Sequence, residues 1–403
     1  MQKKIFDKIP KNLCTRCGIC TGVCPEKNIC LDNAGYPIIK KQDCTNCNLC
    51  IDVCPGISVN FKELSKKLFS SREKFNPLIG SYSNIFVAHA NDPAIRKNAA
   101  SGGVVTAFLV YLLKNKLIDG AIITRMKPYS TKAEVFIAKD VGDVIHNAGS
   151  KYQIIPVGSI LRQTKDYKKL AIVGVPCVIH GIRKAQELGL AKNIRYCIGL
   201  FCGINMEKCS TELMVKKLHL KKRDIKNIEY RGGKWPGGFL VKLKNNSKKF
   251  ISKEDYSLLN VLYAPERCLY CIDHANELAD ISVGDAWYAP DNKGWSSVVF
   301  RTKKSKNLLK ANIKFKKIPL KKIIESQRYF LFFKKSAFDR IKRLKYKPSY
   351  ITNTQRYKQG KKQRLFYLMH KLRKPLRFMV SIFPISFTKF ISRLMAKDVR
   401  KIP

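Results

Sequence analysis

"KLAIVGVPCVIHGIRKAQELG", residues 169–189, decides the fold. Its first part is an apolar run of strand length, Val175–Pro176 makes a turn, and the remainder has the length and spacing of a helix. A strand feeding a helix through a short turn is the unit from which α/β domains are built. The same alternation continues outward. "IFVAHA" (85–90) reads as a strand, and "SGGVVTAFLVYLLKNKL" (101–117) as a helix that opens on small residues. "GAIITRM" (120–126), "EVFIAKD" (134–140) and "IRYCIGLFCG" (194–203) return to strands. The expectation is an α/β body on a mainly parallel or mixed sheet.

Upstream of this body lies an internal repeat, "CTRCGICTGVCP" (14–25) and "CTNCNLCIDVCP" (44–55). Each run is C-x2-C-x2-C-x3-C-P, the two-cluster ferredoxin pattern, in which the fourth Cys of one run ligates the other run's cluster. Cys14, Cys17, Cys20 and Cys54 are thus assigned to one [4Fe–4S] cluster, and Cys44, Cys47, Cys50 and Cys24 to the second. A zinc module is the alternative, but zinc sites pair C-x2-C units rather than four-Cys runs closed by Pro. Cys30 reads as a spare or buried thiol. Residues 1–60 form this predicted domain, and 61–80 a polar linker. Fifteen cysteines behind a charged N-terminus (Lys3, Lys4) without an apolar signal segment point to metal or redox chemistry in the cytoplasm rather than to disulfides.

Two further cysteines, in "RCLYC" (267–271), cannot complete a metal site alone. Cys177 stands at the start of the predicted helix after "LAIVG", where a thiol pKa is expected to fall. Cys202 ends the strand "YCIGLF". If the two strands are parallel, both cysteines lie at the sheet's carboxyl edge, where α/β proteins place ligands. Cys177, Cys202, Cys268 and Cys271 are therefore predicted to hold a third [4Fe–4S] cluster. Cys197 faces the other side of its strand, and it and Cys209 read as core thiols.

The matching stretches "ASGGVVTAFLVYLL" (100–113), "GSKYQ" (149–153), "GVPCVIHGIRKA" (174–185), "IGLFCG" (198–203), "YRGGKWPGG" (230–238) and "RCLYCIDHANELADISVGDAW" (267–287) carry a resemblance. The chain resembles coenzyme F420-reducing hydrogenase and dehydrogenase beta subunits, in the form with an N-terminal two-cluster ferredoxin domain. The likeness runs to about residue 302 and stops beyond about 320. It implies FAD beside a [4Fe–4S] cluster, with a hydride exchanged with a substrate such as coenzyme F420 and single electrons exchanged with a protein partner. A flavin is the adapter such chemistry needs, because clusters pass one electron and a hydride carries two.

Carried onto this sequence, the resemblance implies that Ser101, Gly102 and Gly103 cradle the FAD phosphates. Ser150, Lys151 and Tyr152 would add polar contacts, and Asp285 and Trp287 would border the pocket. From the residues alone, Ser101–Gly103 also suit an ordinary helix cap, Asp285 a turn and Trp287 the core. His89, His180 and His274 read as structural, and no catalytic acid is named. The oxidoreductase body is placed at 81–165 and 166–320, followed by a basic tail at 321–403.

The charge is extreme, with 78 Lys+Arg against 29 Asp+Glu, and +29 of the net +49 falls between Arg301 and Pro403. Such a surface attracts anions. No nucleic-acid-binding motif accompanies it, so nucleic acid is not expected as a partner. The tail stretch "LFYLMHKLRKPLRFMVSIFPISFTKFISRLM" (365–395) mixes basic and apolar residues, and Pro375 and Pro384 should divide it into short helices. It suits either a docked helical cap or a peripheral anchor on an anionic membrane surface on the cytoplasmic side; the proline interruptions favour the anchor. Two functional classes remain: a flavin- and iron–sulfur-dependent oxidoreductase, and a non-catalytic electron-relay protein within a larger redox complex.

Overall fold

The structure, a computed structural model, describes residues 9–40, 44–71, 73–289, 291, 293–354, 357–384 and 386–391. Eight strands form the central sheet: β1 (Asn84–Ala90), β2 (Gly120–Met126), β3 (Ala133–Ala138), β4 (Leu170–Gly174), β5 (Ile194–Leu200), β6 (Ile281–Asp285), β7 (Ser296–Phe300) and β8 (Ile313–Lys317). Their order is β8-β1-β7-β6-β5-β4-β2-β3. The middle four run parallel, while β7, β1 and β8 on one flank and β3 on the other are antiparallel. The mixed α/β sheet is as expected, and β4 and β5 are parallel, which brings Cys177 and Cys202 to one edge of the sheet.

Parallel central strands need helices on both faces, and their sequences are correspondingly apolar throughout. α1 (Val104–Lys114) buries Val104, Phe108, Leu109 and Leu112. Complete burial of a side chain such as Phe108 contributes about 1.5–3 kcal/mol. α2 (Pro176–Glu187) starts on a proline, whose missing N–H costs nothing in a first turn. A three-stranded antiparallel sheet (Ile225–Gly232, Gly238–Leu243, Lys248–Ser252) and the short helix α3 (Ser257–Leu262) make a second layer around Tyr230, Phe239 and Tyr256.

The N-terminal module packs directly on this body. A Cβ on Gly158 would lie 2.2 Å from Ile19 Cδ1, and one on Gly22 would lie 2.1 Å from Gly158 O. Arg16 pairs with Glu207 at 2.5 Å, and Lys184 Nζ donates to Cys54 O and Ser58 O. In the predicted linker region the chain forms a helix (Phe61–Leu68) and then a hairpin (Lys74–Asn76 with Gly80–Tyr82), and Leu78 and Ile79 are buried.

Beyond residue 320 the described elements stay on the body. α4 (Leu320–Lys335) buries Ile323, Leu331 and Phe333. Strand Ser349–Ile351 pairs in parallel with Ser58–Asn60 of the module. α5 (Lys361–Lys371) and α6 (Arg373–Ile382) lie against α3, with Phe366, His370 and Val380 buried. The prolines therefore do not prevent docking. Pro375 occupies the first turn of α6, where no backbone donor is required. Among the described residues no helix is long and apolar enough to cross a membrane.

Candidate functional site

The parallel strands β4, β5 and β6 all end at one edge of the sheet. Gly174 leads there into Cys177, Leu200 into Cys202, and β6 ends on Asp285. β7 begins at the same edge, because Ser296 pairs with Asp285 and Ala88, and β1 continues from it toward Ser101–Gly103. A cavity of about 410 Å³ opens here, within the roughly 300–1,000 Å³ of small-molecule sites. Its lining includes Ser101, Gly103, Ser150, Lys151, Tyr152, Asp285 and Trp287, and it reaches Cys202.

Of the residues predicted to hold phosphates, Ser101 and Gly103 line this cavity and Gly102 does not. The Gly102 amide donates to Ser296 Oγ at 3.1 Å, and a Cβ there would meet Ala88 O at 2.5 Å. Gly102 serves the approach of the helix to β1 and β7. Gly103 caps α1 in the left-handed conformation, φ 74°, which favours glycine. The amides of the next turn have no intrahelical partner. The Lys151 ammonium donates to Asn147 O, Ala148 O and Gly149 O, so all three of its donors are engaged; burial lowers its pKa to about 8. The Trp287 ring is half exposed at the cavity rim, not in the core.

Asp285 sits in a charged cluster. Burial pushes its carboxyl up, but Arg231 at 2.9 Å and Lys253 at 3.7 Å outweigh that and hold it below the ordinary range. Arg231 also donates to Tyr152 OH at 3.2 Å and to Pro236 O at 2.6 Å. Its remaining nitrogen, Nη2, is buried without a hydrogen-bond partner. Lys151, Arg231 and Lys253 give the lining three cations against the one carboxylate of Asp285.

Several of the thiols lie near enough to influence one another. Cys14 and Cys20 each feel Cys54 and Cys17, whereas Cys50 feels Cys47, Cys24 and Cys44. Cys24, Cys44, Cys47 and Cys50 line a small cavity of about 40 Å³. Cys177 has Cys17, Cys202, Cys271 and Cys268 as neighbours. The expected lowering of its pKa at a helix start is overturned: burial, with the neighbouring thiols, pushes it well above the ordinary value. Burial likewise drives Cys202 up to about 12 and Cys14 to about 12. The raised Cys14, Cys177 and Cys202 thiols stay protonated when bare, and thiolates there need positive charge between them. Among the described residues no three His, Cys, Asp or Glu side chains converge tightly enough for a single metal ion.

Cys197 is buried in β5, as expected. Cys209 is exposed on the helix Lys208–Lys217, which corrects its reading as a core thiol; its helix buries Ser210, Leu213 and Met214 instead. Cys30 is half buried in a short hairpin. His180 is bonded to Asp273 at 2.8 Å and His89 to Ala90 O, both in structural contacts. His274 lines the cavity and leaves Nδ1 buried without a partner.

Several site residues escape a reading of the sequence. Arg231 lies within the quoted stretch "YRGGKWPGG", but only the packing of strands brings it to Asp285. α4 contributes Phe330 to the cavity wall and Gln327, which joins His274 to the Asp285 carbonyl. Lys334 of the same helix is buried and donates to Cys268 O at 2.8 Å.

Two family models match, both describing the beta chain of coenzyme F420 hydrogenase/dehydrogenase: its N-terminal part over residues 85–162 and its C-terminal part over residues 167–326. The coenzyme F420 hydrogenase subunit beta of Methanothermobacter thermautotrophicus is 31% identical over 58% of this chain and 82% of that protein. A component of the F420H2 dehydrogenase of Methanosarcina mazei is 30% identical over 75% and 83%. The coenzyme F420-dependent sulfite reductase of Methanocaldococcus jannaschii is 30% identical over 76% of this chain, which spans 47% of that longer protein. A chain of the F420-reducing [NiFe] hydrogenase complex of Methanosarcina barkeri shares the fold, with a TM-score of 0.56 and 24% identity over 68% of this chain and 98% of its own.

Proposed function

Since the chain belongs to the family of coenzyme F420 hydrogenase/dehydrogenase beta subunits, we propose that it is a redox subunit that passes electrons between [4Fe–4S] clusters and a hydride-exchanging substrate through FAD. Coenzyme F420, named in its relatives, is the substrate to test first. One observation carries this reading: a single cavity extends from the start of α1 to Cys202. An organic cofactor in that cavity would lie beside the third set of thiols.

The residues present fit a flavin. Three cations against one carboxylate favour a ligand with a negative diphosphate, and the buried Arg231 Nη2 and His274 Nδ1 are polar atoms waiting for a partner. A bound flavin supplies the conversion between two-electron hydride exchange and single-electron transfer. Ser101 and the α1 amides after Gly103 would receive phosphate oxygens. Val104, Val175, Leu200 and Val283 wall the cavity and exclude water, and Trp287 leaves its rim accessible.

The thiol sets suit clusters by the chemistry of their donors, because thiolates brought close together are favourable only around positive charge. Their arrangement also gives an order. Cys47 is exposed in the set Cys24, Cys44, Cys47 and Cys50, which makes that face the docking side for a one-electron carrier or redox partner. Cys17 of the inner set neighbours Cys177, and Cys202 reaches the cavity. The route therefore runs from the module's outer set through its inner set and the third set to the cavity. Cofactor extraction from anaerobically purified protein tests the reading: one FAD is expected. Clusters without flavin, even after incubation with FAD, would instead support a non-catalytic electron-relay role.

A further inference from the structure

The tail helices α5 and α6 are apolar on two sides. Phe366, His370 and Val380 face the body and are buried. On α5, Leu365, Leu368 and Leu372 recur at intervals of three and four, and all are exposed. On α6, Phe378 and Ile382 stand four apart and are exposed, Phe378 at 67%, and Phe383, which caps the helix, is exposed beside them. A docked cap explains the first stripe and leaves the second without a partner. Clustered exposed apolar side chains of this size mark an interaction surface.

Charge says what that surface takes. Residues 361–391 contain eight Lys or Arg and no Asp or Glu. Lys361, Lys371 and Lys374 are exposed along the same two helices. Protein interfaces are depleted in Lys, whereas helices lying in a lipid headgroup layer combine Lys and Arg with Phe and Leu. Anionic headgroups attract such lysines, and acyl chains accept the apolar stripe. The helices are too short and too interrupted to span, so they would lie in the interface plane.

We propose that the outward face of α5 and α6 is a docking surface for an anionic lipid bilayer. The surface is built separately from the cavity, and the inference does not depend on flavin binding. Truncation is a poor test, because removing the tail would also remove Phe366 and His370 from the core. Exposed substitutions avoid this. The full chain is mixed with phosphatidylcholine vesicles with and without phosphatidylglycerol, at low and high salt, and sedimented. Strong co-sedimentation is expected only with anionic vesicles, weakening as salt screens the lysines. The variants Leu368→Glu/Phe378→Glu/Ile382→Glu and Lys361→Glu/Lys371→Glu/Lys374→Glu should each bind at least roughly tenfold more weakly, with unchanged thermal unfolding. A full chain that stays in the supernatant with anionic vesicles, or either variant sedimenting like the parent, overturns the proposal; an acidic protein as the true occupant would give the first of these results.

Discussion

Arg231 is the sharpest test of the cavity, because it is bonded on three sides and open on the fourth. Its Nε and Nη1 are committed to Pro236 O, Tyr152 OH and Asp285, while Nη2 has no protein partner. Arg231→Met keeps most of the side chain's length and removes the charge. It leaves the Asp285 carboxylate with Lys253, at 3.7 Å, as its one cationic partner beside the Ser101 hydroxyl. Stripping one partner from a buried pair costs about 3–5 kcal/mol. The remaining lysine, and the partial exposure of Asp285, place the expected loss nearer about 2–3 kcal/mol.

The effect on flavin is separate. A charge-assisted hydrogen bond contributes about 1.5–3 kcal/mol, so its loss should weaken FAD binding roughly 10- to 150-fold. Thermal unfolding and FAD titration of apoprotein would measure the two effects on the same samples. The double variant Arg231→Met/Asp285→Asn separates them, with Asp285→Asn as the single control. A neutral amide needs no counter-charge, so stability should largely recover while FAD affinity stays low. If the double variant binds FAD like the parent, Arg231 only props up Asp285 and its role as a cofactor contact is refuted.

Iron content should be about twelve per chain after anaerobic reconstitution and fall to about eight in Cys268→Ser/Cys271→Ser; eight in both would reject the third cluster. Cys47→Ser should impair reduction by an external one-electron protein while sparing flavin reduction by a hydride donor, whereas equal loss of both would make the module structural. Acid should loosen the tail through His370. Its buried ring is bonded to Ala264 O, and burial, reinforced by Arg373, lowers its pKa to about 4. The unfolded chain takes up this proton near pH 6.5 and the folded chain only near 4, so the stability is present above about 6.5 and is lost as pH falls toward 4. The contribution is at most about 3 kcal/mol, and hydrogen exchange over α5 should show it flattened in His370→Gln.

The legible parts of this molecule are those where chemistry restricts spacing. Four-Cys runs closed by Pro have few uses, and the crossed partnership of Cys54 with the first run reappears as thiol proximity. The strand-turn-helix at 169–189 is equally clear, because an all-apolar strand next to a helical pattern has one common context. Arg231 is hidden for the opposite reason. It meets Asp285, 54 residues away, only once two separate sheets are packed. The Cys177 thiol defies its sequence context because a helix start and burial act in opposite directions, and only the structure reveals how deep the site lies. Cys209 turns outward because its helix has a better apolar face on the other side. The tail is ambiguous because both of its faces are apolar, and composition does not say which one docks.

The junction between module and body bears on how electrons would move. A domain that swings to meet its partner needs a separable interface, usually wet and linked by flexible chain. Here Gly18, Gly22, Gly158 and Gly181 let the backbones close around Ile19, and a Cβ at any of the four would meet neighbouring atoms at 2.7 Å or less. Arg162 adds hydrogen bonds to Thr21 O and Ile29 O, and Arg267 another to Pro55 O. Strand 349–351 then ties the C-terminal segment to the module. The inner thiol set is thereby held at one distance from Cys177. Among the described residues this arrangement offers no hinge for gating by domain motion, so under the proposed route docking of an external partner at the Cys47 face would be the step left to regulate electron flow.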